Sequence, residues 1–127
     1  MSMLDLLLGA GDKLTERPEE TLEISRISKI CGSPFIVRIK ALSFKEFDSM
    51  PSGSDRMKHI IVAGVVDPDL TSEALRKKYT PDNRKTPLTP VEVVEKILQP
   101  GEVVNLYSAI TELSGFGDDA VAKIEKN

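Results

Sequence analysis

The amino-acid sequence predicts an α+β fold with an N-terminal β-hairpin and a mainly α-helical C-terminal part. Two observations carry this prediction. Apolar and polar residues alternate in two runs between residues 21 and 42, which is typical of half-buried strands. Beyond residue 42, apolar residues recur at helical spacing behind recognisable capping sequences. We expect one domain over residues 1–127, because 40% hydrophobic residues can bury a single modest core.

Composition and charge argue against several classes of partner. The chain has no Trp, two Tyr and four Phe, so stacking surfaces for nucleic-acid bases are scarce. The net charge is −3, and the whole acidic excess lies in residues 101–127. A duplex-binding protein normally has a basic face that displaces counterions from phosphates, so we expect no nucleic-acid partner.

Cysteine content and hydropathy indicate the compartment. The single cysteine, Cys31, cannot form an intrachain disulfide. The longest apolar runs are far shorter than the roughly 20 residues of a membrane span. Residues 1–5 also lack the basic flank of a signal peptide. We therefore expect a reducing cytoplasm and no membrane partner.

Residues 1–11 predict a short helix or arm. Ser2 stands at a possible N-cap with Asp5 three residues later, and the run Leu6-Leu7-Leu8 follows. A helix this short is marginal by itself because nucleation is costly, so its leucines need a surface to pack on. Two alternatives follow: the arm folds back on its own core, or it docks on another subunit.

The β-hairpin is predicted over residues 21–42, after a polar connector at residues 12–20. Leu22 and Ile24 alternate in the first strand, and Phe35, Val37 and Ile39 alternate in the second. The segment Cys31-Gly32-Ser33-Pro34 is a plausible hairpin loop, because Gly can take positive φ and Pro fixes φ. The alternation slips at Ile27, which indicates a bulge or an early end to the first strand.

Residues 43–116 are predicted to form the helical part. Ser43 and Glu46 make a capping box that starts a short helix. Residues 55–66 keep helical spacing, which favours a helix, although their β-branched content also allows a strand. Asp67-Pro68-Asp69 ends that segment. Further helices are predicted over residues 71–79 and 89–98, the second starting from a capping box of Thr89 and Glu92.

The last main helix is predicted over residues 101–113, and its apolar side chains form one stripe that consists of Val103, Leu106, Tyr107, Ile110 and Leu113. Ser114-Gly115-Phe116 predicts where it ends. Gly115 suits the left-handed position after a helix, and Phe116 is expected to fold back near Ile110. Residues 117–127 are predicted to be a weakly ordered tail with a short fraying helix over residues 118–126.

The residue pattern offers no constellation for chemistry. His59 is the only histidine and has no evident nucleophile or orienting partner. Asp67 and Asp69 lack the spacing of a calcium-binding loop and are interpreted as turn formers. Cys31 is interpreted as a passive thiol. We therefore expect no enzyme activity, no cofactor and no metal site.

Five short segments stand out in order along the chain: Leu4 with Leu6-Leu7-Leu8; Pro34-Phe35-Ile36-Val37 followed by Ala41-Leu42-Ser43; Val65-Val66-Asp67-Pro68-Asp69-Leu70; Leu98-Gln99-Pro100-Gly101-Glu102; and Leu113-Ser114-Gly115-Phe116-Gly117. Through them nearly the whole chain resembles the tail assembly chaperones of contractile-tailed phages and their prophage relatives. The third segment, and the block from Pro100 to Phe116, are the most specific.

The resemblance implies a binding protein rather than an enzyme. Members of the family are thought to coat the long, hydrophobic tape measure protein, keep it soluble and help recruit tail tube subunits. The implied partners are the tape measure protein and the tail tube protein, in the cytoplasm of the bacterial host. A homo-oligomer is also plausible, because free hairpin edges and a leucine-rich arm favour self-association.

A chaperone of this kind needs apolar surface for a helical client. The candidate residues are Leu4, Leu6, Leu7 and Leu8 in the arm, and Val103, Leu106, Tyr107 and Ile110 in the last helix. The second group has an alternative, since a stripe at helical spacing also suits a protein core. The alternative functions are a structural tail or baseplate component of the virion and a small DNA-binding regulator. The acids on the last helix argue against the regulator.

Overall fold

The structure is a computed structural model that describes residues 2–124. Within this range the chain forms a three-stranded antiparallel sheet and seven α-helices. The elements follow one another in the order α1 (Met3–Gly9), a 3₁₀ turn (Gly11–Leu14), β1 (Glu19–Glu23), α2 (Ser25–Cys31), β2 (Ile36–Lys40), α3 (Phe44–Asp48), α4 (Arg56–Gly64), β3 (Val65–Asp67), α5 (Glu73–Lys78), α6 (Pro90–Ile97), α7 (Pro100–Thr111) and a π-helical turn (Glu112–Phe116). The predicted α+β class with a helical C-terminal part is confirmed.

The sheet has the strand order β1-β2-β3, with β2 in the centre. β1 and β2 are antiparallel, and Leu22 lies opposite Val37. Val37 and Ile39 face the core at 3% and 0% exposure. Ile36, the first residue of β2, and Arg38 face solvent. The predicted alternation and the antiparallel pairing of these two strands are therefore confirmed.

The connection between β1 and β2 differs from the predicted hairpin loop. It is the helix α2, which begins directly after Ile24 and ends at Gly32. Gly32 has φ 71°, and its N–H donates to the carbonyl of Ser28 at 2.9 Å. The positive φ of Gly32 thus ends a helix instead of turning a hairpin. The slip of the alternation at Ile27 marks the early end of the first strand, since Ile27 packs against the core from α2.

Residues 55–66 contain both of the elements that their sequence allowed. α4 occupies most of the segment, and Val65 then starts β3, which pairs with β2. The pairing places Ile39 opposite Val65, with a register shift between Arg38 and Ile39. This third strand was not predicted, because its three residues become a strand only by pairing with β2.

Local capping explains where several helices begin. The hydroxyl of Ser43 accepts the N–H of Glu46 at 3.2 Å, and that of Thr89 accepts the N–H of Glu92 at 3.2 Å. Both predicted capping boxes are confirmed. In α7 the Glu102 carboxylate accepts the N–H of Gln99 at 2.8 Å, so this helix begins at Pro100.

The core lies where α4 packs against α6 and α7 beneath the sheet. Its most completely buried side chains are Ile39, Ile60, Ile61, Val93, Val94 and Ile110. They are all aliphatic, as the composition indicates. β-Branched side chains in α4 and α6 are tolerated because their burial outweighs a small loss of helix propensity.

The C-terminal end of α7 is held by contacts with α3. Gly115 has φ 93° in the π-helical turn, which is the left-handed geometry predicted for it. Phe116 meets Phe47 of α3 edge-on with 5.3 Å between ring centroids, a contact that was not predicted. Residues 118–124 form turns and bends rather than the predicted fraying helix, and residues 125 and 126 of that prediction lie outside the described residues.

Candidate binding surfaces

The described part of the predicted arm of residues 1–11 and the 3₁₀ turn that follows it present apolar side chains to solvent; residues 2–14 are called the N-terminal arm from here on. The Ser2 hydroxyl accepts the N–H of Asp5 at 3.1 Å, and the Asp5 carboxylate accepts the N–H of Ser2 at 3.1 Å. These hydrogen bonds with Ser2 hold the pKa of Asp5 below its ordinary value of 3.8. The apolar side chains of this capped helix are between 50% and 74% exposed; they are Met3, Leu4, Leu6, Leu7 and Leu8.

The helix α1 is apolar over more than half of its circumference. With 3.6 residues per turn, Met3, Leu6 and Leu7 share one side, and Leu4, Leu7 and Leu8 share the adjoining side. A helix face this wide and apolar is normally buried. None of its residues is buried here. Of the two alternatives for the arm, packing on the core of the same chain is therefore contradicted.

The stripe on α7 lies in the core. Val103, Leu106 and Ile110 are 8%, 4% and 0% exposed, and Tyr107 is half-buried against the same cluster. Their proposed place on a client-binding surface needs correction, because α4 covers this face of α7. Helical periodicity identified the apolar face correctly, but it carried no information about what covers that face.

A second exposed apolar surface was missed by the sequence analysis. This aromatic patch consists of Leu14, Phe44, Phe47 and Phe116, which line a recess of about 530 Å³. Phe44 is 91% exposed and Phe116 is 68% exposed. Phe44 directly follows the N-cap residue Ser43, so it occupies the first turn of α3. An aromatic residue at this position could have indicated an exposed apolar side chain. Leu14, the last residue of the arm, also lines this recess, so the chain leads from α1 directly to the patch.

A third apolar surface, the groove, lies between α2, α5 and α6 and has a volume of about 420 Å³. Ile30, 71% exposed, and Tyr79, 38% exposed, stand on its walls. Cys31 also lines it and is exposed.

The charges that line the groove are basic. Arg26 and Lys96 are its charged lining residues within the described part of the chain. The Arg26 guanidinium donates to both carboxylate oxygens of Glu102 at 2.9 Å and to the Ile97 carbonyl at 2.7 Å. The hydrogen bond to Glu102 raises the pKa of Arg26, and the pKa of Glu102 is correspondingly lowered. Lys96 makes no salt bridge with any carboxylate between residues 2 and 124.

The residues weighed as candidates for chemistry are dispersed. His59 is half-buried on α4. Asp69 accepts the N–H of Thr71 at 2.9 Å, as a turn former does. Hydrogen bonds from Thr71 lower the pKa of this carboxyl. Over residues 2–124, His, Cys, Asp and Glu side chains form no group of three or more placed to hold a metal ion. Among these same residues, no helix combines the length and apolar character needed to cross a bilayer.

Comparison with known proteins identifies the family. The family model described as Phage XkdN-like tail assembly chaperone protein matches residues 53–126. The chain belongs to this family. The resemblance inferred from the sequence is thereby confirmed. Both of its most specific segments, which begin at Val65 and at Pro100, lie within the matched residues.

The fold of this tail assembly chaperone is also found in a crystal structure of the protein YqbN. The two chains are 24% identical, the alignment covers 78% of this chain and 87% of that chain, and the TM-score is 0.57. At this identity the likeness shows the fold alone. No curated protein matches the chain.

The family match covers the three surfaces of this chaperone unequally. The α5 and α6 walls of the groove lie within the matched residues 53–126, as does Phe116 of the aromatic patch. The N-terminal arm lies outside them.

Proposed function

We propose that this tail assembly chaperone binds the tape measure protein, keeps it in solution and helps to recruit tail tube subunits. The observation that carries the proposal is the exposure of two apolar surfaces, the N-terminal arm and the aromatic patch, in a chain whose family serves tail assembly. The proposed role is binding without catalysis, in the cytoplasm of the bacterial host.

The arm and the patch suit a long, apolar, helical client. Full burial of one leucine side chain contributes roughly 1.5–3 kcal/mol, so the arm can supply most of the affinity through Leu4, Leu6, Leu7 and Leu8. Phe44 adds a large aromatic surface at little cost in conformational entropy. Apolar anchors on an amphipathic or apolar helix are a common mode of protein recognition.

Charge near the patch supports the solubilising role. Asp118 and Asp119 follow Phe116 closely in the chain, and Asp119 is exposed. The formal net charge of the chain is −3, and its acidic excess lies in the C-terminal residues. A client coated with several copies of this chain acquires negative charge, and complexes of like charge repel one another. Recruitment of tube subunits is supported by the family alone.

Co-expression with the tape measure protein of the same phage or prophage tests the proposal. We expect the wild-type chain to raise the soluble fraction of the client and to co-purify with it. The double variant Leu4→Ser with Leu7→Ser should lose most of this effect, because both side chains are exposed in the arm. Val104→Ser is the matched control, since it removes an apolar side chain that is 48% exposed on α7.

Two results would contradict the proposal. One is a client that stays equally insoluble with and without the wild-type chain and forms no complex with it. The other is recovery of the chain as a stoichiometric part of purified tails, which would instead identify a structural component of the virion.

A further inference from the structure

We propose that, when no client is present, the N-terminal arm of one copy docks into the groove of a second copy. The chain carries two apolar features that its own fold leaves open. One is α1, none of whose residues is buried. The other is the groove between α2, α5 and α6.

The shapes of the two features correspond. The apolar face of α1 extends over more than half of its circumference, so a flat surface would cover only part of that face, whereas a groove encloses more of it. Seven residues give α1 a length of roughly 10 Å, which is the dimension of a single helix-to-helix contact. The groove offers Ile30 of α2 and Tyr79 at the end of α5, both of them exposed.

The charges of the two features are complementary. Asp5 is the charged side chain of α1, and the hydrogen bonds of its capping box favour its ionised form. Lys96 on the groove has no carboxylate partner within residues 2–124. An arm that enters the groove brings a carboxylate to a wall where the charged lining residues are basic.

The arm does not occupy the groove of its own chain. Its last residue, Leu14, lies in the aromatic patch, and the residues that line the patch and those that line the groove have no member in common. A second copy offers its groove without this restriction. Each copy then gives one arm and receives another: a reciprocal exchange closes a two-fold dimer, and a head-to-tail arrangement builds rings or short filaments.

The consequence for function rests on the proposed function. If the same leucines bind the client, the groove of a neighbouring copy keeps them covered until the client arrives. Self-association thereby protects an apolar surface that would otherwise favour aggregation.

The native cysteine makes the contact measurable without a client. Cys31 lines the groove and is the single cysteine of the chain. A size-tagged chain with Leu8→Cys and Cys31→Ser is mixed with the untagged wild-type chain under mild oxidation. A mixed disulfide can form only between the arm of the first chain and the groove of the second. Non-reducing electrophoresis follows its rate of formation.

The control chain carries Val121→Cys with Cys31→Ser, because Val121 is 91% exposed and lies outside the arm. We expect the arm thiol to react on the order of tenfold or more faster than this control, since docking raises its effective concentration near Cys31. Ile30→Asp in the untagged chain should remove the advantage, and Lys96→Glu should reduce it. Ile30 is 71% exposed, so its replacement leaves the fold intact.

Two outcomes overturn the proposal. Equal rates for the arm thiol and the control thiol would show that the arm does not dock at the groove. A monomeric chain with Leu8 replaced by Cys that closes a disulfide with its own Cys31 would place the arm in the groove of the same chain. The assay contains no tape measure protein, so its failure leaves the co-expression test of client binding unaffected.

Discussion

Gly64 on α4 lies so close to Ile110 on α7 that a Cβ atom at position 64 would stand 2.6 Å from Ile110 Cδ1. Ile110 is 0% exposed, so its side chain cannot turn out into solvent to make room. The absence of a side chain at Gly64 thus sets the separation of the two central helices. This contact explains why a glycine stands at a buried position of α4 where the helical spacing would place an apolar side chain.

We expect Gly64→Ala to destabilise the protein by about 1–3 kcal/mol, because the added methyl group overpacks a close helix contact. Urea unfolding followed by circular dichroism measures the change. Gly101→Ala is the control: nothing lies within 4 Å of a Cβ atom there, so the change should be neutral or slightly stabilising. Equal stability of the two variants would contradict the packing argument.

Leucine-to-alanine substitutions should separate the core stripe from the arm. Leu106 is 4% exposed, so Leu106→Ala should cost about 2–5 kcal/mol of unfolding free energy through lost burial and a cavity. Leu7 is 61% exposed, and Leu7→Ala should change stability by less than about 0.5 kcal/mol. Denaturant titrations at a concentration where the protein is monomeric give both values. A large loss for Leu7→Ala would show that the arm packs on its own core after all.

The ion pair between Arg84 and Glu92 predicts a pH dependence of stability. Hydrogen bonds from the Arg84 side chain, then from the Thr89 backbone, lower the pKa of Glu92 from 4.5 to about 2. A depressed folded-state pKa stabilises the protein above the unfolded pKa, and this contribution is lost as the pH falls from about 4.5 through about 2. Wild type should therefore lose more stability over this interval than Glu92→Gln.

Unfolding curves at a series of pH values measure that difference. Glu20→Gln serves as the control, because Glu20 is exposed on β1 and forms no salt bridge with a described residue. We expect its profile to follow that of wild type. If the free energy of unfolding of Glu92→Gln falls with decreasing pH as steeply as that of wild type, the Arg84–Glu92 ion pair does not stabilise the fold in the way described.

The stability that the Arg26–Glu102 ion pair contributes should depend on the planar shape of the guanidinium group. Both carboxylate oxygens of Glu102 accept from Arg26 at 2.9 Å, and this bidentate ion pair joins α2 to the first turn of α7. A lysine cannot make two parallel bonds, so Arg26→Lys should lower the urea midpoint. Arg38→Lys is the matched control, since the Arg38–Glu19 pair is about half exposed on the sheet. The expectation fails if the two variants have equal midpoints.

The features predicted correctly are those that depend on neighbours along the chain. The capping boxes at Ser43 and Thr89 each close within three residues, so their local sequence specifies them. The alternation around Val37 likewise reports which side of a strand is buried.

The features missed depend on residues that meet only after folding. Arg26 and Glu102 are 76 residues apart, and the Leu42 N–H donates to the Ser114 hydroxyl across 72 residues. β3 exists because β2 supplies its hydrogen-bonding partners. The aromatic patch exists because the π-helical turn carries Phe116 to Phe47.

The sequence by itself determined the capped starts of α3 and α6, the strand alternation, the family and the apolar character of both candidate groups. Only the tertiary structure decided that Leu106 is buried in the core while Leu7 is exposed. Periodicity records which face of a helix is apolar, because side-chain spacing is a local property. What covers that face is decided by the packing of distant segments, and that packing separates a core residue from a candidate binding residue.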